Sequence, residues 1–194
     1  MTRVLVTGFE PFDGSAVNPS QQLVDALDDD VAKALLPVSY ARAADELRRV
    51  IREAKPDVVI CFGQADGRTG ISVERFAHNL DEASTTDNDA APGSGTAIDP
   101  HGPLAYASTL PVDEIVAALH AKGIPAAPSR DAGGFLCNHV FYVLMQALGQ
   151  DRPRARGGFV HVPLLPEQAL DKAAATMPLE SLVLAAQTIL AVVR

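Results

Sequence analysis

The chain has 194 residues, with apolar residues at 47% of its positions and charged residues at 21%, which is typical of a globular protein of about one domain. The formal net charge is −8 and no basic run occurs, which argues against a nucleic-acid partner because phosphate binding needs clustered lysine and arginine. No segment approaches the ~18–20 consecutive apolar residues of a membrane-spanning helix, so we expect no membrane partner.

Strand and helix patterns alternate along the chain. Short runs that are β-branched-rich or continuously apolar predict strands at 3–7, 34–39, 57–63, 70–80, 124–129 and 158–164. Helical spacing of apolar residues predicts helices at 20–29, 41–54, 112–123, 137–148 and 180–193. Asn18 and Pro19 fit the N-cap and first position of the first helix, and the proline in the second strand run favours an edge strand. Residues 81–102, rich in Asp, Ala, Gly and Pro, predict a long loop that is either functional or mobile.

This alternation contains no internal repeat and no linker, so it predicts a single α/β domain over residues 1–194. The expected architecture is a three-layer α/β/α sandwich with a mostly parallel, mixed central sheet. Active sites in such sheets lie at the carboxyl ends of the strands. The loop after Thr7, the turn at Gly63 and Gln64, the segment before Cys137 and the end of the last strand should therefore meet there.

Cys137 lies where a Gly133-Gly134 turn gives way to an apolar helix. Unpaired amide groups and the dipole at a helix start favour a thiolate, so the position suits a nucleophile. A buried, inert thiol is the alternative, and it is our interpretation of Cys61, which lies inside a predicted apolar strand. The two cysteines form no CxxC pair or disulfide framework, so we expect reduced thiols and a cytoplasmic protein.

A cysteine nucleophile needs a base, and two histidines are candidates. His139 is the closer in sequence, but residues two apart on a helix point to opposite sides, so it is poorly placed. His161 lies near the end of the last predicted strand, where a proline two residues later stops the ladder. A structural or surface histidine is the alternative interpretation of His161.

The base in turn needs an orienting group, which is commonly a carboxylate. Glu74 lies among apolar positions, where a carboxylate is rarely buried without a partner. A surface ion pair with Arg68 or Arg75 is the alternative role for Glu74.

Metal and cofactor sites have little support in the sequence. The chain has no HExxH, no paired Cys/His spacing, no EF-hand loop and no glycine-rich phosphate motif, so we expect no metal and no other cofactor. Phe9 and Phe12, in the loop after the first strand, suit either core packing or the wall of a pocket.

Five ordered segments carry longer motifs. They are VTGFEPFDG and VNPS within 6–20, GQADGRTGISVERFAHN at 63–79, GPLAYASTLP at 102–111, AGGFLCNHVFY at 132–142 and GFVHVPLLPEQ at 158–168. Together they resemble the pyroglutamyl peptidase (pyrrolidone-carboxylate peptidase) family of cysteine peptidases over nearly the whole chain. The resemblance implies an α/β/α sandwich and a catalytic triad of Glu74, Cys137 and His161, the residues that the patterns alone had selected.

The resemblance also implies the substrate, a peptide whose N-terminus is closed as a pyroglutamyl lactam and carries no ammonium group. Such a ring needs apolar walls, together with a donor and an acceptor for the lactam. The matching substrate-binding positions are Phe9, Phe12, Phe135 and Leu136 for the walls and Asn18 and Gln64 for the polar contacts. A homo-oligomer, either a dimer or a tetramer, stays open as a further partner.

Two short stretches depart from the family pattern. Where the family usually has Arg-Ile, the chain has Ser84 and Thr85, and where the family usually has Asn-Ser or Asn-Thr, it has Arg130 and Asp131. Arg130 is therefore a candidate for replacing the cation that is missing at Ser84.

The function predicted from sequence is a cysteine exopeptidase that removes an N-terminal pyroglutamyl residue from peptides and proteins. Two alternatives remain at this point. One is a related amidase with a shifted substrate preference, because the pocket loop carries Ser84 and Thr85. The other is a non-catalytic protein on the same fold that binds a small molecule or peptide.

Overall fold

The computed structural model describes residues 2–83, 85–170 and 173–194. Within these residues the strands are β1 (Val4–Phe9), β2 (Ala32–Leu36), β3 (Val58–Gln64), β4 (Ile71–Glu74), β5 (Phe76–His78), β6 (Ala105–Ala107), β7 (Ala126–Ser129) and β8 (Arg156–Val162). The helices are α1 (Pro19–Ala26), α2 (Tyr40–Ala54), α3 (Val112–Ala121), α4 (Leu136–Asp151) and α5 (Leu179–Val193), with a short 3-10 helix at Pro166–Gln168. None of the described helices is long and apolar enough to cross a membrane.

Six of the strands form one mixed sheet in the order β2-β1-β3-β8-β4-β7. The four strands from β2 to β8 run parallel to one another, whereas β4 runs antiparallel to β8 and parallel to β7. The short strands β5 and β6 form a separate antiparallel pair. This mostly parallel, mixed sheet confirms the predicted fold class.

The central strands are buried on both faces, and alternate residues face opposite layers because side chains alternate along a strand. Val4, Val58 and Ile60 pack in one apolar cluster with residues of α1, α3 and α5. Leu5 and Cys61 pack in a second cluster with residues of α2 and α4. The helices therefore form two outer layers, and the α4 layer covers the sheet face that carries Cys61.

Local sequence signals account for several element ends. Asn18 caps α1 by accepting the amide of Ser20 at 3.0 Å, with Pro19 in the first turn, as predicted. Strand β2 lies at the edge of the sheet, as predicted, but it spans Ala32–Leu36 and ends before Pro37 instead of running over 34–39. Apart from Ser84, which lies outside the described residues, the long segment 81–102 contains neither helix nor strand.

The extended run predicted at 70–80 is not one strand. It divides at Arg75, after which β5 leaves the main sheet and pairs with β6. The sequence patterns missed β6 because its three residues are too few to show an alternation. The division matters for the site because it makes Glu74 the last residue of β4.

Candidate active site

A cavity of about 260 Å³ opens at the carboxyl ends of β1, β3 and β8, the edge of the sheet at which sequence patterns placed the site. Eight of the nine residues predicted for the site line it, namely Phe9, Phe12, Asn18, Gln64, Phe135, Leu136, Cys137 and His161. The ninth, Glu74, lies behind His161 and is fully buried.

Strand pairing places Glu74 against His161. In the antiparallel pair of β4 and β8, Ser72 lies opposite His161, so Glu74, two residues further on, is a diagonal neighbour on the same face. His161 Nδ1 lies 2.8 Å from Glu74 Oε1, and the two residues are 3% and 0% exposed. Because an ionised carboxylate only accepts hydrogen bonds, Nδ1 is the protonated nitrogen, and Nε2 of the neutral ring is left as the acceptor.

A glycine brings Cys137 to the same place. A Cβ atom at Gly63 would lie only 2.8 Å from Cys137 Sγ, so the thiol packs directly against the backbone of β3. Gly63 is paired with His161 across the parallel strands β3 and β8. The Cys137 thiol therefore lies over the strand next to His161, and both side chains line the cavity.

The start of α4 presents unpaired amides beside the thiol. Helix α4 begins at Leu136, and the amides of Asn138 and His139 both bond to the carbonyl oxygen of Phe135. Within the described residues, the amides of Leu136 and Cys137 have no such partner, as expected for the first positions of a helix. These N–H groups are available to hold a negative oxygen close to Sγ.

The protonation of Cys137 differs from the sequence-based expectation that a helix start would favour a thiolate. Burial, followed by the neighbouring Glu74 carboxylate and Cys61, raises the pKa of Cys137 to about 12. A raised pKa favours the neutral thiol, whose attack on a carbonyl requires a base to remove the proton. Burial also raises the pKa of Cys61 to about 12, consistent with an inert core thiol.

Arg68 is a site residue that sequence reasoning considered only as a surface partner. Its guanidinium Nη2 lies 3.8 Å from Glu74 Oε1 and 3.0 Å from the carbonyl oxygen of Asp131, and the side chain lines the cavity. Of the two ion pairs considered for Glu74, the pair with Arg68 is present, although Glu74 itself is fully buried and not at the surface. The pair with Arg75 is wrong, because Arg75 pairs with Asp113 instead. The signal available in the sequence was the position of Arg68 between the cavity residue Gln64 and Glu74.

Aromatic rings form much of the apolar wall. The ring centroids of Phe12 and Phe135 are 5.9 Å apart, and Tyr40 packs edge-on against Phe135 at 5.8 Å. Val38 adds to the wall and was not selected from the sequence. Nothing in the local pattern of an edge strand shows that the residue after its proline reaches a cavity.

The two amide side chains predicted as polar contacts have different surroundings. Asn18 Oδ1 accepts from the amide and hydroxyl of Ser20, and Asn18 Nδ2 donates to the carbonyl oxygen of Glu10 at 3.0 Å. Gln64 Oε1 accepts from Gln168 Nε2 at 3.0 Å. Asn18 is therefore largely used by the fold, whereas Gln64 keeps its NH2 group for other partners.

The structure places only some of the positions that depart from the family pattern. Ser84 is outside the described residues, while Thr85 lines an adjoining cavity of about 450 Å³ that shares Phe12, Gln64 and Phe135 with the first. Arg130 is exposed and does not line either cavity. The arginine that does line the first cavity is Arg68.

Fold and site together define a class of protein. A buried carboxylate holds a histidine beside a cysteine at a helix start, in a cavity at the carboxyl ends of strands in an α/β/α sandwich. No group of three or more metal-ligating side chains occurs in the part of the chain that the structure describes. This is the constellation of a cysteine hydrolase.

The pyroglutamyl peptidase profile matches residues 2–194, and the chain belongs to that family. A pyrrolidone-carboxylate peptidase of Cupriavidus pinatubonensis is 48% identical over 191 residues, covering 94% of this chain and 88% of that protein. The corresponding protein of Streptomyces coelicolor is 46% identical over 184 residues, covering 92% and 85%. The crystal structure of Bacillus amyloliquefaciens pyroglutamyl peptidase I matches with a TM-score of 0.97 at 39% identity, covering 99% of this chain and 96% of that one. The resemblance drawn from the five motifs is confirmed.

Proposed function

We propose that this protein is a cysteine exopeptidase that hydrolyses the bond after an N-terminal pyroglutamyl residue. Cys137 is the nucleophile, His161 is the general base and acid, and Glu74 orients His161. The observation that carries the proposal is the 2.8 Å hydrogen bond between His161 Nδ1 and buried Glu74, in the wall of the cavity that Cys137 also lines.

In the acylation step, His161 Nε2 removes the Cys137 proton as Sγ forms a bond to the pyroglutamyl carbonyl carbon. The carbonyl oxygen becomes negative, and the free amides of Leu136 and Cys137 stabilise it, at about 3–4 kcal/mol for a well-placed donor. The C–N bond then breaks as His161 gives its proton to the leaving amine. A pyroglutamyl thioester of Cys137 and a shortened peptide result.

In the deacylation step, His161 Nε2 removes a proton from a water molecule that attacks the thioester carbonyl. The C–S bond breaks, the proton returns to sulfur, and free pyroglutamate leaves. Glu74 touches no substrate atom in either step. Its role is to keep Nδ1 protonated and to stabilise the imidazolium that forms transiently.

The cavity suits a small lactam ring. Phe9, Phe12, Phe135 and Leu136 supply apolar contacts, and the Gln64 amide supplies a polar one. Both cysteines are free, which supports a cytoplasmic location where thiols stay reduced.

Turnover of a chromogenic pyroglutamyl amide tests the proposal, with the prolyl amide as a matched control that keeps the ring but lacks the lactam carbonyl. We expect release of the chromophore from the first substrate only. Turnover of other acyl amides in preference would favour the related amidase, for which Thr85 in the adjoining cavity is the supporting observation. Binding of the pyroglutamyl amide without any turnover would favour the non-catalytic alternative.

A further inference from the structure

Gln168 ends the short 3-10 helix after β8 and takes no part in the mechanism above. Its side-chain oxygen accepts the backbone N–H of Leu165 at 2.9 Å. Its side-chain nitrogen lies 3.0 Å from Gln64 Oε1 and 3.3 Å from the carbonyl oxygen of Val17. Gln168 is half-buried and lines the adjoining cavity.

These contacts determine which end of each amide is the oxygen. A backbone N–H only donates, so the Gln168 atom that faces Leu165 is oxygen and the other atom is nitrogen. Amide nitrogen also only donates, so the Gln64 atom that faces Gln168 must be its oxygen. The Leu165 N–H thus fixes the orientation of the Gln168 amide. The Gln168 NH2 group in turn fixes the orientation of the Gln64 amide.

The NH2 group of Gln64 is consequently turned away from Gln168. Within the described residues this NH2 group has no hydrogen-bond partner. It is also not one of the fully buried side-chain atoms that lack a partner. Gln64 lines the first cavity as well as the second, so its NH2 group is the end of the amide left for a molecule bound there. Asn18, the other amide in the wall, has its oxygen already occupied by Ser20.

We propose that Gln168 is a positioning residue that sets the polarity of the site. It holds Gln64 so that the cavity is presented with an N–H donor, which matches the carbonyl oxygen of a lactam ring and not a ring amine. The inference deepens the proposed function and rests on it. It makes Gln168 a determinant of substrate specificity without any contact to the substrate.

The test compares Gln168→Leu and Gln168→Glu with the parent enzyme, using 2-pyrrolidone, the bare lactam ring, as a competitive inhibitor. Removing the donor in Gln168→Leu frees Gln64 to rotate, and we expect inhibition to weaken by about 3–10-fold, the scale of one hydrogen bond. In Gln168→Glu the carboxylate accepts the Gln64 NH2 group, so an oxygen faces the lactam carbonyl, and we expect a loss of about 10–100-fold at pH 8. KM should rise with little change in kcat, because the contact acts in the ground state and the transition state alike.

Two further measurements separate positioning from a structural role. The carboxyl group introduced by Gln168→Glu regains a donor when it is protonated. The defect of that variant, followed through 2-pyrrolidone binding by NMR, should therefore diminish as the pH falls from 8 to 4. In a Gln64→Ala background, Gln168→Leu should cause no further loss. Leu170→Glu, which adds the same charge at a position 81% exposed, is the matched control and should bind like the parent.

Normal 2-pyrrolidone binding in both Gln168 variants would overturn the inference, as would a loss that is equally large in the Gln64→Ala background. If Gln168→Leu does not fold, the pH dependence of Gln168→Glu decides the question alone, and a pH-independent defect overturns the inference. Failure of the proposed function looks different, because the parent itself would then neither hydrolyse the pyroglutamyl amide nor bind 2-pyrrolidone.

Discussion

Two carboxylate–histidine pairs lie within a short distance of the same cysteine. In one, His161 Nδ1 bonds to Glu74 at 2.8 Å, and in the other, His139 Nδ1 bonds to Asp81 at 2.9 Å. All four residues are buried. His139 is two residues from Cys137 along α4, and His161 is beside it through the pairing of β3 and β8.

The pairs differ in what surrounds the histidine. His161 is among the described residues that line the cavity, and His139 is not. His139 instead packs against the edge of the Tyr40 ring at 5.5 Å and ties α4 to the segment that contains Asp81. The same local chemistry therefore attaches a helix to a neighbouring segment in one place and, in our proposal, orients a general base in the other. A carboxylate–histidine pair indicates a catalytic site only where the free ring nitrogen faces a cavity that also holds a nucleophile.

The largest expected effect tests which thiol is the nucleophile. Cys137→Ser should lower kcat by about 10⁴-fold or more, the scale seen when a catalytic nucleophile is removed, while thermal unfolding stays close to that of the parent. Cys61→Ser is the matched control and should retain most activity, with some loss of stability because Cys61 is fully buried. An active Cys137→Ser together with an inactive Cys61→Ser would reverse the assignment.

The next largest effect distinguishes the role of the Glu74 carboxylate from that of the Asp81 carboxylate. Glu74→Gln should lower kcat by about 10²–10⁴-fold with little change in KM, because an orienting group acts in the transition state. Asp81→Asn should keep kcat but lower the free energy of unfolding by up to about 1.5–3 kcal/mol, the scale of a buried hydrogen bond to a charged group, because the asparagine oxygen still accepts from His139 but carries no charge. Steady-state kinetics and chemical denaturation of both variants would show this crossed pattern. Equal losses of kcat in the two variants would contradict the distinction.

A smaller effect concerns the reactivity of Cys137 towards iodoacetamide. Because burial and Glu74 raise the pKa of its thiol, the alkylation rate should still be rising with pH above the ~8.5 of a free cysteine. Glu74→Gln removes a negative neighbour and favours the thiolate, so it should speed alkylation at pH 8, whereas Asp81→Asn should not. Peptide mapping should find the label on Cys137. Slower alkylation in Glu74→Gln would mean that an imidazolium partner, and not burial, determines the pKa of the Cys137 thiol.

Much of this site could be predicted from the sequence because its parts carry local signals. A cysteine after Gly133-Gly134 indicates a helix start, and Asn18-Pro19 indicates a helix cap. The relations between the parts have no local signal. Gly63 leaves room for the Cys137 thiol, and β4 runs antiparallel to β8 and so brings Glu74 to His161. Both relations depend on the order of strands from distant segments of the chain.

The features that the sequence patterns missed are of the same long-range kind. The bond between Gln64 and Gln168 joins the end of β3 to a turn after β8. The pKa of Cys137 is raised by burial and by the Glu74 carboxylate, which reaches the site from a distant strand, although the sequence shows only the helix start. Candidate residues for catalysis can thus be selected from sequence, but their protonation and orientation require the packed structure.

The smallest expected effect concerns Arg68, the arginine that lies beside Glu74 and distinguishes this pair from the pair of His139 and Asp81. Arg68 lies 3.8 Å from Glu74, and no arginine contact is described for Asp81 in the residues that the structure covers. Because the Arg68 side chain is 37% exposed, solvent screens its charge, and ion pairs of this kind contribute about 0.2–1 kcal/mol. Arg68→Gln should therefore lower kcat by only about 2–5-fold, more at low than at high salt.

Two matched arginines make that small change interpretable. Arg75 follows Glu74 directly but pairs with Asp113, and Arg130 is exposed outside the cavity. Arg75→Gln and Arg130→Asn therefore each remove one positive charge that does not lie in the site. Both should leave kcat/KM within about 1.5-fold of the parent, as surface substitutions of under about 0.5 kcal/mol do. A loss in Arg130→Asn that exceeds the loss in Arg68→Gln would restore Arg130 as the residue that replaces the family arginine. Equal small losses in all three would mean that net charge, not the position of Arg68 behind the triad, is what catalysis senses.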